Sequence, residues 1–341
     1  MMKSKIIIPL IVLCAFIVTG CKGKFNALPV ATGSPYEIYV VLPEGEWNSE
    51  AGKAIKEVYT SEMVGLPQRE QNFRFSFVDP QHFDNIIKPV RNIMFVEVGD
   101  IYTQPKFSFT KDVWSQGQMI LYLKTPDIKS LETFIPENKD VMINFFVNTE
   151  INRRVKYLKK NFNKDASEQL ADLLGVEMNI PTELVQMKKR NNFFWISNSQ
   201  ALRMDLVVYS VPYTEEDAFS LDKIIARRDS IMKYNIPGSV DGSYMKTSKA
   251  VDPSLRVLNF NNKYVAEVRG LWDVEGDAMG GPFVSHTRLD EVNNRIITVE
   301  AFLYSPKKAK RNNLRQLEAA LYTLQLPQET ELPEIPVVVT K

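Results

Sequence analysis

The sequence predicts an α+β fold with mostly antiparallel sheets and flanking helices. Three observations carry that expectation. Hairpin signals join successive strands late in the chain: 255–260 meets 263–269 across Asn261-Asn262, and 282–288 meets 295–303 across a polar turn at Asn293 and Asn294. Helical periodicity falls between groups of strands rather than after every strand, which disfavours a doubly wound sheet. A coarse order of strand, strand, helix begins at Asn92 and again at Asn192, which raises two related subdomains as an expectation, without a strict period.

The elements follow in order. Lys3 and Lys5 form a positive start, and Ile6 to Ile17 is an uncharged apolar run containing Pro9. A dozen residues are too few to cross a hydrocarbon core of ~30 Å as a helix. Residues 1–20 therefore read as a signal peptide. Val18-Thr19-Gly20-Cys21 closes it and resembles the bacterial lipobox, where a thiol accepts a diacylglyceryl group and cleavage precedes that cysteine. Cys21 is the expected lipidation site. Residues 21–35, with Pro29, Gly33 and Pro35, read as a lipidated tether.

An N-terminal α+β subdomain is expected over 36–175. Glu37 to Leu42, alternating Phe73-Phe75-Phe77, Asn92 to Val98 and Gln118 to Lys124 read as its strands. Ala51, Ile55, Val58 and Tyr59 share one helical face. Thr125-Pro126 looks like a helix start and Pro136 like another. Asp165 and Glu168 resemble a capping box, with Gly175 at the helix end. A C-terminal α+β subdomain is expected over 176–326. There 192–197 and 205–211 are strands, Thr214 with Asp217 opens a helix, and Ser305-Pro306 opens the last, whose stripe is Leu314, Leu317, Leu321 and Leu324. Residues 327–341 read as a loosely packed Pro-rich tail, with a short edge strand at Val337 to Val339.

Composition excludes several functions. The 341 residues carry 42 Lys and Arg against 41 Asp and Glu, a formal +1, so nucleic acid is not an expected partner. Loss of residues 1–20 removes Lys3, Lys5 and Cys14 and leaves 40 basic and 41 acidic side chains. The mature chain then holds one cysteine, Cys21, so disulfides, cysteine nucleophiles and cysteine-rich zinc sites are not expected.

The candidates for chemistry are few. Asp273, Glu275 and Asp277 alternate, so an extended backbone faces them one way. Three carboxylates there suit a divalent cation, or, as the rival reading, an envelope glycan-acting hydrolase. The blander reading is a solvated acidic connection. His286 sits between Ser285 and Asp290, but neighbouring strand residues point to opposite faces, so a hydrolytic triad is not expected. No confident metal site and no cofactor follow, beyond the covalent lipid and the candidate cation. Arg153, Lys156 and Lys160 mark a basic stretch over 150–164 that suits anionic headgroups, against a plain solvated face.

Several stretches carry a family resemblance: Val64-Gly65-Leu66-Pro67-Gln68, Arg91-Asn92-Ile93, Ala226 to Ser230, Tyr234 to Gly238, Gly242 to Met245, Arg269 to Trp272, Gly280 to Ser285 and Arg315 to Ala319. Through them nearly the whole mature chain resembles a Bacteroidota lipoprotein family known as domain of unknown function 4837. The resemblance implies a lipid-anchored envelope protein and supplies no catalytic residues. Lipoproteins exported to the outside of such cells often carry acidic residues after the cysteine. Lys22-Gly23-Lys24-Phe25 has none, which points to the periplasmic side of the outer membrane. The expected role is a non-catalytic binding or assembly module with an envelope protein or glycan as partner.

Overall fold

The computed structural model describes residues 27–260, 263–329, 331–332 and 335–337. The expected signal peptide, Cys21, the Asn261-Asn262 turn and Val338 to Val339 lie outside the described residues.

Alternation decides how the first half closes. In β1 (Glu37–Val41), Ile38 and Val40 face one way and Tyr39 and Val41 the other. Both faces are apolar, so both need cover. α1 (Glu50–Thr60) packs over the Ile38 face, and β2 (Arg74–Val78) returns parallel to β1. β3 (Asn92–Val98) pairs parallel with β1 on its other side. β4 (Lys106–Lys111) is the antiparallel edge of β5 (Met119–Thr125), which itself runs parallel to β3. The order is β2-β1-β3-β5-β4. α2 (Leu131–Glu137) and α3 (Lys139–Leu158) join α1 on the Ile38 face, where Tyr59, Phe73, Phe145 and Phe146 interlock edge to face. Phe83 and Trp114, from loops, cover the opposite face.

The second half is one antiparallel sheet. α4 (Lys164–Leu174) precedes β6 (Gln186–Arg190), β7 (Phe193–Ser197) and β8 (Arg203–Pro212). After α5 (Leu221–Asn235) come β9 (Tyr244–Thr247), β10 (Ser254–Phe260), β11 (Lys263–Glu275), β12 (Asp277–Asp290) and β13 (Arg295–Tyr304), and then α6 (Arg311–Leu321). The order is β10-β11-β12-β13-β8-β7-β6, with β9 also on β11. Period-2 alternation again separates two faces. Leu206, Val208, Val284 and Val299 meet α4 and α6, while Val207, Tyr209, Phe283 and Phe302 meet α5.

The α+β class stands, in two subdomains. Eight of the eleven strand pairings are antiparallel, and the three parallel ones all lie in the smaller sheet. The two sheets differ in strand number, order and direction, so the coarse repeat is not a shared topology. Helix starts move as well. α2 begins at Leu131 because Thr125 still belongs to β5, and Pro136 lies inside α2 rather than opening α3. The α4 cap is Asn163, which accepts from the Ala166 N–H at 3.1 Å, while Gly175 ends it in the left-handed region as expected. α5 and α6 start later than expected, at Leu221 and Arg311. β4, β6 and β9 are additional strands, and all three are edges or short flanks with polar sequences.

The expected tether is shorter. Val30 bridges Gln116 and Thr32 bridges Val90, which ties residues 29–32 to the loops that lead into β5 and β3. The tail is not loose either. Glu329 pairs with Arg288 and with Lys263 at 2.8 Å, and Ile335 is buried.

One glycine is fixed by space. Gly281 lies opposite Trp272, and a Cβ there would stand 2.0 Å from the Leu303 carbonyl oxygen. Gly281→Ala should therefore lower unfolding free energy by at least about 2 kcal/mol. Gly45→Ala, with nothing within 4 Å, should stay within about 1 kcal/mol of wild type. Urea unfolding compares the two, and equal effects would remove the packing argument.

Candidate functional site

The two sheets meet at an open cleft of about 580 Å³. One wall is Ser61 to Val64, after α1. The second is a stripe of α3, where Lys139, Ile143 and Val147 lie one turn apart, with Asp140 and Asn144 beside them. The floor and far wall come from β10, β11 and α6.

The floor is ionic and buried. Glu267 and Arg269 alternate with Ala266 and Val268 on β11, so they share the sheet face that α6 covers. Arg269 Nε donates to Glu267 Oε1 at 3.0 Å, and its other end pairs with Glu318 of α6. Arg256 reaches Glu267 from β10 at 3.0 Å. His286 Nε2 lies 3.4 Å from Glu267 Oε2, with its ring edge-on to Tyr322. Burial pushes the Glu267 carboxyl up, but Arg269, His286 and Arg256 outweigh it and hold it well below the usual range. Burial likewise lowers the Arg269 guanidinium, yet Glu267 and Glu318 carry it well above its ordinary value.

α6 extends this network into the first half. Arg315 donates to the Asn72 carbonyl at 2.8 Å and to Asn72 Oδ1 at 2.7 Å, and stacks on the Tyr36 ring. Burial lowers its pKa to about 10, so it stays charged near neutrality. Glu70 accepts from the Lys310 and Arg311 N–H groups at 2.7 and 3.0 Å, which places an anion at the helix N-terminus. Gly65, at φ +81°, passes 3.2 Å from Arg269 Cβ measured from an added Cβ. Val64, Arg269 and Arg315, from three of the stretches that carry the resemblance, thus meet in one place.

Chemically, this floor holds charge rather than moving protons. General acid or base work near pH 7 needs a group poised near that pH. Glu267 is a fixed carboxylate, and its cations are already neutralised by acids. What remains for a ligand is the upper cleft, where Arg256 is about half exposed at the mouth (49 % of its side chain) and Met63, Val64, Ile143, Val147 and Leu255 are apolar.

The residues singled out by sequence lie elsewhere, except His286. A turn at Gly276 separates Asp277 from the other two acids. Glu275 pairs with Lys246, Asp273 lies 4.0 Å from the same ammonium, and Asp277 caps Ser239. Among the described residues no group of three or more His, Cys, Asp or Glu is placed to hold a metal ion. Ser285 packs on the α5 side of β12, His286 faces α6, and Asp290 binds Arg295, so the three do not converge. Arg153 is engaged within the fold. It donates to Asn92 Oδ1, Glu150 Oε1 and the carbonyls of Arg91 and Gly117, all at 2.8–2.9 Å. Lys156 and Lys160 remain exposed.

Two further buried groups went unseen in the sequence. Arg228 of α5 makes a bidentate bond to Glu300 at 2.8 and 2.7 Å beneath the helix. Asp205 accepts from Trp195 Nε1 at 2.8 Å and pairs with Arg203 beside a smaller apolar pocket of about 140 Å³. Burial pushes its carboxyl up to about 6, against Arg203 and the Trp195 bond. The available signal was charge at positions where strand alternation or a helical stripe demands apolar side chains: Glu267 beside Ala266, Glu318 beside Leu317, Arg228 within α5.

Two outcomes follow. Glu267→Gln leaves Arg269 buried with half its compensation and should cost about 3–5 kcal/mol in chemical denaturation at pH 7; a loss under about 1 kcal/mol would mean the network does not hold the floor. The second concerns pH. Between 3.8, its ordinary value, and about 6, folded Asp205 keeps a proton that the unfolded chain has lost. That contribution to stability declines as pH rises through the window. Asp205→Asn should gain on wild type by up to about 3 kcal/mol between pH 4 and pH 7. A constant difference across that range would contradict the titration.

Comparison with known proteins divides the chain. Residues 163–323 match the family model described as Domain of unknown function (DUF4837). Residues 31–159 match a different one, Domain of unknown function (DUF8532). The match to the first family thus lies in the second half, and Val64 to Gln68 and Arg91 to Ile93 fall in the stretch matched by the other model. No curated protein matches. A crystal structure from Bacteroides thetaiotaomicron VPI-5482 is similar at 14% identity with a TM-score of 0.23, and the match spans 46% of each chain. The chain is therefore similar to the DUF8532 model over 31–159 and to the DUF4837 model over 163–323, and the cleft is lined by residues from both stretches.

Proposed function

We propose that the protein is a lipid-anchored module of the bacterial cell envelope that binds a partner in the cleft without transforming it. The observation that carries the binding role is the cleft itself. It has the volume of a ligand site, within the ~300–1,000 Å³ such sites occupy, over a floor whose charges neutralise one another.

The anchor rests on Lys3, Lys5, the Ile6 to Ile17 run and Val18-Thr19-Gly20-Cys21. Thioether and amide acylation of Cys21 supplies two or three chains, at about 0.8 kcal/mol per buried methylene, and that number of chains holds stably. Among the described residues no helix is long and apolar enough to cross a membrane, so attachment in this reading depends on Cys21. The periplasmic face of the outer membrane is the proposed location.

Nothing at 273–277 favours glycan cleavage. Such an enzyme needs one carboxylic acid with a raised pKa, whereas Lys246 lowers Glu275 and Ser239 lowers Asp277.

A Cys21→Ala protein should lose acyl labelling and leave the membrane fraction; retention there would end the anchoring claim. In-cell crosslinking then tests the cleft. Val64 is 63 % exposed, so Val64→Arg should keep the fold and remove crosslinks to the partner. Crosslinks that persist unchanged would place binding elsewhere.

A further inference from the structure

The upper cleft shows what kind of ligand it takes, given the binding role proposed above. Its rim is the start of an open sheet edge. β10 ends the large sheet, and Ser254, Leu255 and Arg256 line the cleft. In an antiparallel ladder every second residue directs its N–H and C=O away from its partner. Among the described residues no strand or bridge takes up that outer edge of β10. The edge has no proline and no lysine, its one charge, Arg256, is turned to Glu267, and its seven residues span about 20 Å.

The facing wall reads extended backbone elsewhere along its length. Asn144, Asn148 and Asn152 stand one turn apart on α3. Asn152 holds Ile335 by both backbone groups, donating to its carbonyl at 2.8 Å and accepting from its N–H at 3.3 Å. Asn148 donates to the Pro336 carbonyl at 2.9 Å. The chain's own residues 335–337 thus lie along α3 on two rungs of an amide ladder. The third rung, Asn144, lies in the cleft between Ile143 and Val147.

We infer that the cleft binds an extended peptide segment of a partner protein, added at the edge of β10 and held on its other side by Asn144. The bed already occupied by Ile335 to Val337 continues into the cleft, which is why a peptide is the occupant rather than a sugar. Its composition follows from the lining. Met63, Val64, Ile143, Val147 and Leu255 suit β-branched side chains. The charges lining the cleft balance, with Lys139, Arg256, Arg269 and Arg315 against Glu62, Asp140, Glu267 and Glu318, so the segment carries no net charge.

The probe is a capped hexapeptide, Val-Thr-Val-Val-Thr-Val, titrated into the purified protein and followed by fluorescence anisotropy and by hydrogen exchange of residues 254–260. Binding with protection of that strand is expected. N-methylation of alternate peptide nitrogens should abolish it, since side-chain contact alone survives that change. Asn144→Ala should weaken binding about tenfold with unchanged thermal unfolding. The chain's own Val338-Val339-Thr340-Lys341 follows Val337 in sequence, so a protein ending at Val337 should bind the probe at least as tightly. No binding by either length, or binding indifferent to N-methylation and to Asn144→Ala, overturns the peptide assignment. Envelope extract separates the two levels. Protection of the cleft by a protease-resistant component overturns the peptide class and leaves the cleft as the site. Absence of protection by any probe or extract overturns both.

Discussion

Arg315 and its neighbours on α6 are the constraint on which the rest depends. This helix is near the end of the chain, yet it carries charge into the middle of the molecule. Arg315 is held by Asn72 and the Tyr36 face, Glu318 pairs with Arg269, and the helix N-terminus is capped by Glu70. A buried charge without its partner costs several kcal/mol. The first half must therefore present Glu70 to Asn72, and the second must present Arg269, before the helix can seat. Two sheets with unlike topologies are in this way held at one relative position, and the cleft is what remains beside the contact.

The same chemistry explains why the cleft floor is unreactive while its upper part stays available. Low dielectric makes each buried pair strong and each unpaired group costly. Glu267 accordingly collects Arg269, Arg256 and His286. Higher in the cleft, Ile143 and Val147 of α3 and Leu255 of β10 line the open volume. An open strand edge beside a ladder of amide side chains is a surface for backbone, with side-chain pockets adding selectivity.

Much of the architecture was legible as periodicity. Alternation in 37–41, 193–197 and 295–304 places strands close to where they lie, and the Leu314-Leu317-Leu321 stripe places α6. A polar edge strand such as 186–190 was invisible, because four of its five side chains face water, Met187 alone packs inward, and pairing to a neighbour makes it a strand. The site was less legible. Asp273, Glu275 and Asp277 drew attention as a cluster, but a turn at Gly276 breaks the alternation that would gather them. Arg153 read as one cation in a basic face, although its guanidinium is spent on Asn92, Glu150 and two carbonyls.

The sequence by itself determined the α+β class and the apolar faces, since each depends on residues close together in the chain. Only the tertiary structure decided which charges are buried and paired. The stretches 70–72, 267–269 and 315–318 are far apart in sequence, and their meeting follows from how α6 docks across both sheets. Local patterns report which face of an element is apolar. They do not report which other element will cover that face, and the ionic floor and the cleft above it depend on that choice.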